Sequence, residues 1–162
     1  RQRQMCIRDR FTRDVWCYLT NKGVRIAVHN IINKCFIDEQ ECILIGHSLG
    51  SIVAYNILMN KENRNNIKKF ITLGSPLGIE SIFDRLPTEN PPRKAPSGIP
   101  IWLNARDTQD VVALYEIPEV KYKGNPIVIN YNEVQNTSEN HHGIAEYLTD
   151  PFVAMEIRKC LP

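Results

Sequence analysis

The fold of this chain is decided by residues 41–59, whose sequence is ECILIGHSLGSIVAYNILM. Residues 41–46 form a short, nearly all-apolar run that ends in glycine, which is typical of a β-strand buried on both faces of a sheet. Residues 51–59 are rich in apolar side chains and predict a helix. The pentapeptide Gly46-His47-Ser48-Leu49-Gly50 is therefore expected to form a tight turn that joins a buried strand to a helix.

Ser48 occupies the centre of this turn, and Gly-x-Ser-x-Gly between a strand and a helix is the pattern of a nucleophile elbow. The backbone of a serine in such a turn is strained, and we expect Gly46 and Gly50 to relieve crowding between the strand and the helix. The start of the helix offers free N–H groups, so the N–H of Leu49 is the predicted oxyanion donor. The alternative is a tight turn without chemistry. A nucleotide-binding loop is disfavoured because no Lys-Ser/Thr pair follows and no G-x-G-x-x-G is present.

The other apolar segments alternate between strand and helix. Three further strands are predicted at residues 68–74, 99–104 and 126–130, and helices at residues 11–36, with a break at Gly23, and at residues 143–160. Residues 81–98 are rich in proline and predict a loop or part of a lid. Together these segments predict an α/β fold with a small parallel sheet flanked by helices on both faces.

A serine nucleophile needs a base, and the base needs a carboxylate that orients it. His29 precedes the serine on a predicted helix and is expected to be a surface or packing residue. His47 lies inside the elbow, where its side chain is expected to point away from the partner of the serine. His141 and His142 follow the last predicted strand, which is where the chain order Ser, then Asp or Glu, then His requires the base.

At this point the chain resembles α/β-hydrolases of the lipase and esterase type. The resemblance rests on GHSLGS at residues 46–51, TLGSPLG at 72–78, WLN at 102–104 with DVVA at 110–113, and His142 five residues before Tyr147-Leu148. Residues 104–113 are also similar to the acid loop of the DDHD-domain intracellular phospholipases. The resemblance covers roughly residues 41–161 and implies the C-terminal half of the domain, incomplete at its N-terminal side.

The resemblance implies a catalytic triad of Ser48 as nucleophile, Asp110 as acid and His142 as base. Asp107 is the rival acid, because residues 104–107 also resemble the G-x-x-D loop of other hydrolases. His141 is the rival base. The first strands of the hydrolase fold, with the loop that supplies a second oxyanion donor, are not recognisable in the sequence, so this chain alone is expected to be inactive even if its parent is an enzyme.

Length and composition restrict the class of protein further. The 162 residues suffice for one domain, which we place at residues 11–162, with residues 1–10 as a non-native tail. The net charge of +2 and the absence of a nucleic-acid motif argue against nucleic-acid binding, and there is no apolar run of bilayer length. Five scattered cysteines without a C-x-x-C favour a reducing compartment, and hence a cytoplasmic location.

The predicted activity is hydrolysis of a carboxylic ester, a lipid ester among the candidates, through an acyl-enzyme on Ser48. No metal ion or cofactor is expected, because the sequence contains no ligand cluster or cofactor motif. A thioesterase or an acyltransferase would carry the same triad. The alternative from another class is a catalytically incomplete, hydrolase-like interaction module. The substrate and the oligomeric state are not determined by the sequence.

Overall fold

The computed structural model describes residues 2–36, 40–60, 66–87 and 94–161, with side chains from Phe11 onward. Two helices come first, and four strands then alternate with helices. In chain order the elements are α1 Gln2–Thr20, α2 Lys22–Asn33, β1 Cys42–His47, α3 Leu49–Asn60, β2 Ile67–Leu73, a 3₁₀ turn at Pro76–Gly78, α4 Glu80–Phe83, β3 Trp102–Ala105, β4 Val128–Tyr131, α5 Ile144–Thr149 and α6 Pro151–Arg158.

The four strands form one parallel sheet, as the apolar runs predict, and the structure places them in the order β1-β2-β3-β4. Its register places Phe70 beside Trp102, and Trp102 beside Val128. Because the strands are parallel, their carboxyl ends lie at the same edge of the sheet, which is where ligands bind in open α/β folds.

Helices cover both faces of the sheet, so the predicted class of fold is confirmed. Successive side chains of a strand point to opposite faces. Phe70 and Trp102 accordingly belong to a core cluster with residues of α1 and α3, whereas Ile71 and Leu103 belong to a second cluster with residues of α5 and α6.

The approach of β1 to α3 depends on Gly46. A Cβ on Gly46 would lie 2.7 Å from the Cα of Ser51 and 2.8 Å from the carbonyl oxygen of Gly50. The predicted role of Gly46 is therefore confirmed. The same prediction for Gly50 is wrong, because a Cβ at that exposed position would meet nothing within 4 Å.

Two predicted helices are each divided by a capping residue. The first is interrupted at Asn21, whose side chain accepts a hydrogen bond from Val24 N at 3.2 Å, while Gly23 lies inside the first turn of α2. The second is interrupted at Asp150, which caps α6 through bonds from Phe152 N and Val153 N, both at 3.0 Å, with Pro151 in the first helical position.

The predicted proline-rich loop and tail fall partly outside the described residues. Helix α4 occupies the beginning of the loop, and residues 88–93, which include Pro91 and Pro92, lie outside the described part of the chain. Helix α1 begins at Gln2, so the residues assigned to a tail are helical; their non-native origin stays a prediction. None of the helices in the described residues combines the length and apolar character needed to cross a bilayer.

Candidate active site

The predicted site residues lie at the carboxyl edge of the sheet. Ser48 follows β1, the two aspartates Asp107 and Asp110 follow β3, and the paired histidines His141 and His142 follow β4. Ser48 has a φ of 55°, in the left-handed region that a residue with a side chain rarely adopts. Its backbone is held there by a bond from Ser48 N to Leu73 O at 3.1 Å and by Ser51 Oγ, which donates to Ser48 O at 2.6 Å. The strain predicted for the elbow is therefore present.

The structure brings Asp110 and His142 together. Their side chains are 0% and 10% exposed, and His142 Nδ1 lies 2.8 Å from Asp110 Oδ2. The other carboxylate oxygen, Oδ1, accepts from the backbone N–H of Val112 at 2.7 Å and of Ala113 at 3.2 Å. Burial opposes ionisation of Asp110, but hydrogen bonds from His142, Tyr147 and Val112 outweigh it and lower the pKa of the carboxyl group.

This contact determines the tautomer of His142. An ionised carboxylate only accepts hydrogen bonds, so Nδ1 of His142 carries a proton, and in the neutral form of the ring Nε2 has a free lone pair. Nε2 is buried and makes no hydrogen bond within the described part of the chain, which means that it is not bonded to Ser48 Oγ in this structure. Catalytic hydrogen bonds are often long in free enzymes and shorten when substrate binds.

The expectation for His47 is wrong. Its side chain does not point away from the candidate base: its Nε2 lies 3.0 Å from the backbone oxygen of His142, and the two imidazole rings are 4.5 Å apart between centroids. The alternation of a strand places successive side chains on opposite faces, but the turn at Ser48 and the fold of the 141–142 loop cannot be derived from that rule. His47 therefore connects the elbow directly to His142.

Gly74, which directly follows β2, packs against the side chains of both Asp110 and His142. It has a φ of +52°, and a Cβ there would lie 2.9 Å from Asp110 Oδ2 and 3.0 Å from His142 Nδ1. Any larger residue would need both a strained backbone and displacement of the pair. A glycine at the end of a strand is the only signal in the sequence, and it gives no indication of what the glycine adjoins.

The rival residues Asp107 and His141 form a second pair. His141 Nδ1 lies 3.2 Å from Asp107 Oδ2, which also accepts from Asn136 N at 2.8 Å, while Oδ1 accepts from Gln109 N at 2.7 Å. His141 has a φ of 55° and lines, with Asp107, a polar cavity of about 640 Å³. Each aspartate thus contacts its own histidine, and neither is shared between the pairs.

Tyr147 links the two aspartates, a role that its sequence position did not suggest. Its fully buried side chain donates a hydrogen bond to Asp110 Oδ2 at 2.7 Å and accepts one from Asp107 N at 3.0 Å. Burial and the neighbouring Asp110 carboxylate raise the pKa of the Tyr147 phenol, so the hydroxyl remains protonated and able to donate. The sequence shows only that Tyr147 follows the candidate base by five residues, and that spacing does not indicate contact with the two aspartates.

Leu49 and the remaining histidine lie where their sequence context predicts. Leu49 is the first residue of α3, so its N–H belongs to the first turn, which lacks acceptors within the helix. His29 packs away from the site, with Nε2 2.7 Å from the hydroxyl of Tyr18, and burial lowers the pKa of its imidazole. Across the described residues there is no group of three or more His, Cys, Asp or Glu side chains that could hold a metal ion.

The parallel sheet flanked by helices is consistent with an α/β-hydrolase-like fold. Residues 21–89 match the family described as PGAP1-like alpha/beta domain, which belongs to the α/β-hydrolase superfamily. The match includes Ser48 but ends before Asp110 and His142. It begins at the start of α2, whereas the resemblance read from the sequence begins at about residue 41. No curated protein matches the chain significantly, and no solved structure does.

Proposed function

We propose that the chain belongs to a serine hydrolase that cleaves a carboxylic ester through an acyl-enzyme on Ser48. The observation that carries the proposal is the state of His142: Asp110 holds its Nδ1 at 2.8 Å, and its buried Nε2 has no partner. A neutral imidazole oriented in this way, next to a strained serine turn, is what a general base for that serine requires.

In the proposed reaction, Ser48 Oγ attacks the ester carbonyl while His142 Nε2 takes its proton. Asp110 stays ionised and stabilises the imidazolium that forms. The N–H of Leu49 donates to the oxyanion of the tetrahedral intermediate. When the intermediate collapses, His142 returns the proton to the departing alcohol, and a water molecule then hydrolyses the acyl-enzyme by the same route.

Asp107 and His141 are less suited to these roles, although they remain the alternative acid and base. The His141 side chain is 34% exposed, against 10% for His142, and its contact with aspartate is longer, 3.2 Å against 2.8 Å. A weaker and wetter hydrogen bond orients an imidazole less firmly. His142 also contacts the elbow through His47.

An apolar cavity next to His142 supports a lipid ester as the substrate. The cavity has a volume of about 370 Å³ and is lined mainly by apolar side chains of α1 and of the segment around α4: Phe11, Val15, Trp16, Leu19, Ile79 and Ile82. Phe11 also contacts His142 edge to face, with 6.5 Å between ring centroids. Phe11 is the link between this cavity and the site, and an acyl chain bound in the cavity would lie among apolar side chains.

The test is labelling of the full-length protein by a fluorophosphonate probe, followed by hydrolysis of p-nitrophenyl acetate and p-nitrophenyl octanoate. Ser48→Ala is expected to abolish labelling, and His142→Gln and Asp110→Asn to slow it at least about 100-fold. Ser97→Ala, at an exposed serine, is the matched control and should label normally. Undiminished labelling of the Ser48→Ala variant would overturn the assignment.

The same probe, with thioester substrates and an acceptor alcohol added to the hydrolysis assay, separates the alternatives. A protein that folds but never reacts with the probe would be a hydrolase-like interaction module. A thioesterase would react with the probe but prefer thioesters, and an acyltransferase would transfer the acyl group to an added alcohol in preference to water.

The cytoplasmic location is likewise a proposal, supported by the odd number of cysteines, and immunofluorescence of the full-length protein tests it.

A further inference from the structure

His47 precedes the candidate nucleophile in the chain and contacts the candidate base 95 residues later. It is the last residue of β1, and its side chain reaches the 141–142 loop, where Nε2 lies 3.0 Å from the backbone oxygen of His142. Its ring lies 4.5 Å from the imidazole of His142 and 5.9 Å from the ring of Tyr147. His47 is thus in contact with both the base and the tyrosine that binds the acid.

The hydrogen bond fixes the tautomer of His47. A carbonyl oxygen only accepts, so Nε2 of His47 carries a proton and donates it to His142 O. Burial, together with the neighbouring imidazole of His142, lowers the pKa of His47 to about 4. A neutral ring adds no positive charge beside His142, which must itself become an imidazolium when it takes the proton of the serine.

The contact supplements what Asp110 does for the base. Asp110 binds the imidazole through Nδ1, whereas His47 binds the backbone of the same residue and packs against its ring. The backbone needs such support because the preceding residue, His141, has a φ of 55°. Two attachments, one at the side chain and one at the backbone, restrict where Nε2 of His142 can point relative to the turn of Ser48.

We propose that His47 is a positioning residue, which donates its Nε2–H to the backbone of His142 and thereby couples the nucleophile turn to the base. This inference rests on the proposed function. A positioning residue acts through the group that it holds, and displacement of a reacting group by about 1 Å can cost on the order of 100-fold in rate.

The test uses two variants of the full-length protein: one keeps an aromatic ring at position 47 without the N–H donor, and the other keeps an N–H donor without the ring. His47→Phe keeps an aromatic ring against His142 and loses the N–H, while His47→Gln loses the ring and keeps an N–H near the same place. Labelling rates by the fluorophosphonate probe are measured from pH 5 to 9 and scaled to the folded fraction from circular dichroism. His47→Leu is a second donor-free variant, for the case in which the Phe variant does not fold. His29→Phe, which removes the hydrogen bond of a half-buried histidine away from the site, is the matched control.

The expected result is a labelling rate at least about 10-fold lower for the Phe and Leu variants, with a displaced pH profile, and a rate within about threefold of native for the Gln and control variants. A donor-free variant that labels at the native rate with the native pH profile would overturn the inference and leave the proposed function intact. A Gln variant as slow as the Phe variant would also overturn it, because the N–H would then not be what matters. If the unmodified protein does not label, the proposed function fails and this inference fails with it.

Discussion

The hydroxyl of Tyr147 donates to Asp110 Oδ2 at 2.7 Å, and the same oxygen receives Nδ1 of His142 at 2.8 Å. One carboxylate oxygen therefore binds the candidate base and a buried phenol together. The phenol oxygen also accepts a hydrogen bond from Asp107 N at 3.0 Å. The side chain of Tyr147 therefore contacts both Asp107 and Asp110. Because Tyr147 belongs to α5, the position of the acid depends on how that helix packs against the sheet.

Replacement of Tyr147 by Phe should weaken both the site and the fold. The variant removes a donor from a buried carboxylate and leaves Asp107 N without its acceptor, and each unsatisfied buried group costs about 1–3 kcal/mol. We expect a loss of about 2–4 kcal/mol in the free energy of unfolding by urea, and slower labelling of Ser48. Tyr131→Phe is the control, since the Tyr131 ring stacks on Phe152 and its hydroxyl makes no hydrogen bond to the described residues. Equal stability of the two variants would contradict the role of Tyr147.

Gly74 and Gly50 should respond in opposite ways to replacement by Ala. Gly74→Ala places a Cβ 2.9 Å from Asp110 Oδ2 on a residue with a φ of +52°, and should destabilise the fold by about 1–3 kcal/mol and slow labelling. Gly50→Ala adds a Cβ in open space within α3, and should stabilise the fold by about 0.5–1 kcal/mol. Thermal unfolding of both variants measures the difference. If Gly74→Ala leaves both the stability and the labelling rate unchanged, the site accommodates the methyl group and the prediction is wrong.

The stability of the fold should fall between pH 6.5 and pH 4 because of His47. Burial, and then the neighbouring His142, lower the pKa of His47 to about 4, against about 6.5 in an unfolded chain. The unfolded state therefore binds a proton in this range before the folded state does. The contribution of a neutral His47 is fully present above pH 6.5 and is lost as the pH falls through about 4, which we put at about 1–2 kcal/mol after allowance for solvent screening. Urea unfolding of the native chain and the His47→Gln variant at pH 7 and pH 4 tests this: the fall should be smaller in the variant, and equal falls would contradict it.

The sequence predicts the layers of this fold better than it predicts the site. Apolar runs locate all four strands within a few residues, because a strand covered on both faces must be apolar along its length. The elbow is equally local, since Gly46 is required within a few residues of Ser48. The contacts of His47, Gly74 and Tyr147 with the Asp110–His142 pair join segments 30 to 100 residues apart, and no local rule gives their orientation. For the same reason the sequence does not show that Asp107 and Asp110 each contact a histidine of their own.

Lys69 provides a last test, far from the site, of how α6 is held on the sheet. It is 2% exposed on β2, and its Nζ lies 2.7 Å from Glu156 Oε2 and 3.2 Å from Glu156 O.

Lys69→Met removes the buried charge with little change of shape and leaves the Glu156 carboxylate with Lys159 as its remaining cationic partner. Loss of one member of a buried ion pair costs about 3–5 kcal/mol where the other is fully buried, and we expect about 1–3 kcal/mol here because Lys159 and partial exposure compensate. The double variant Lys69→Met with Glu156→Gln should recover part of that loss in urea unfolding. The outcome that contradicts this coupling is additivity, in which the double variant loses as much free energy of unfolding as the two single variants together. The two side chains would then not be coupled, and packing alone would hold α6.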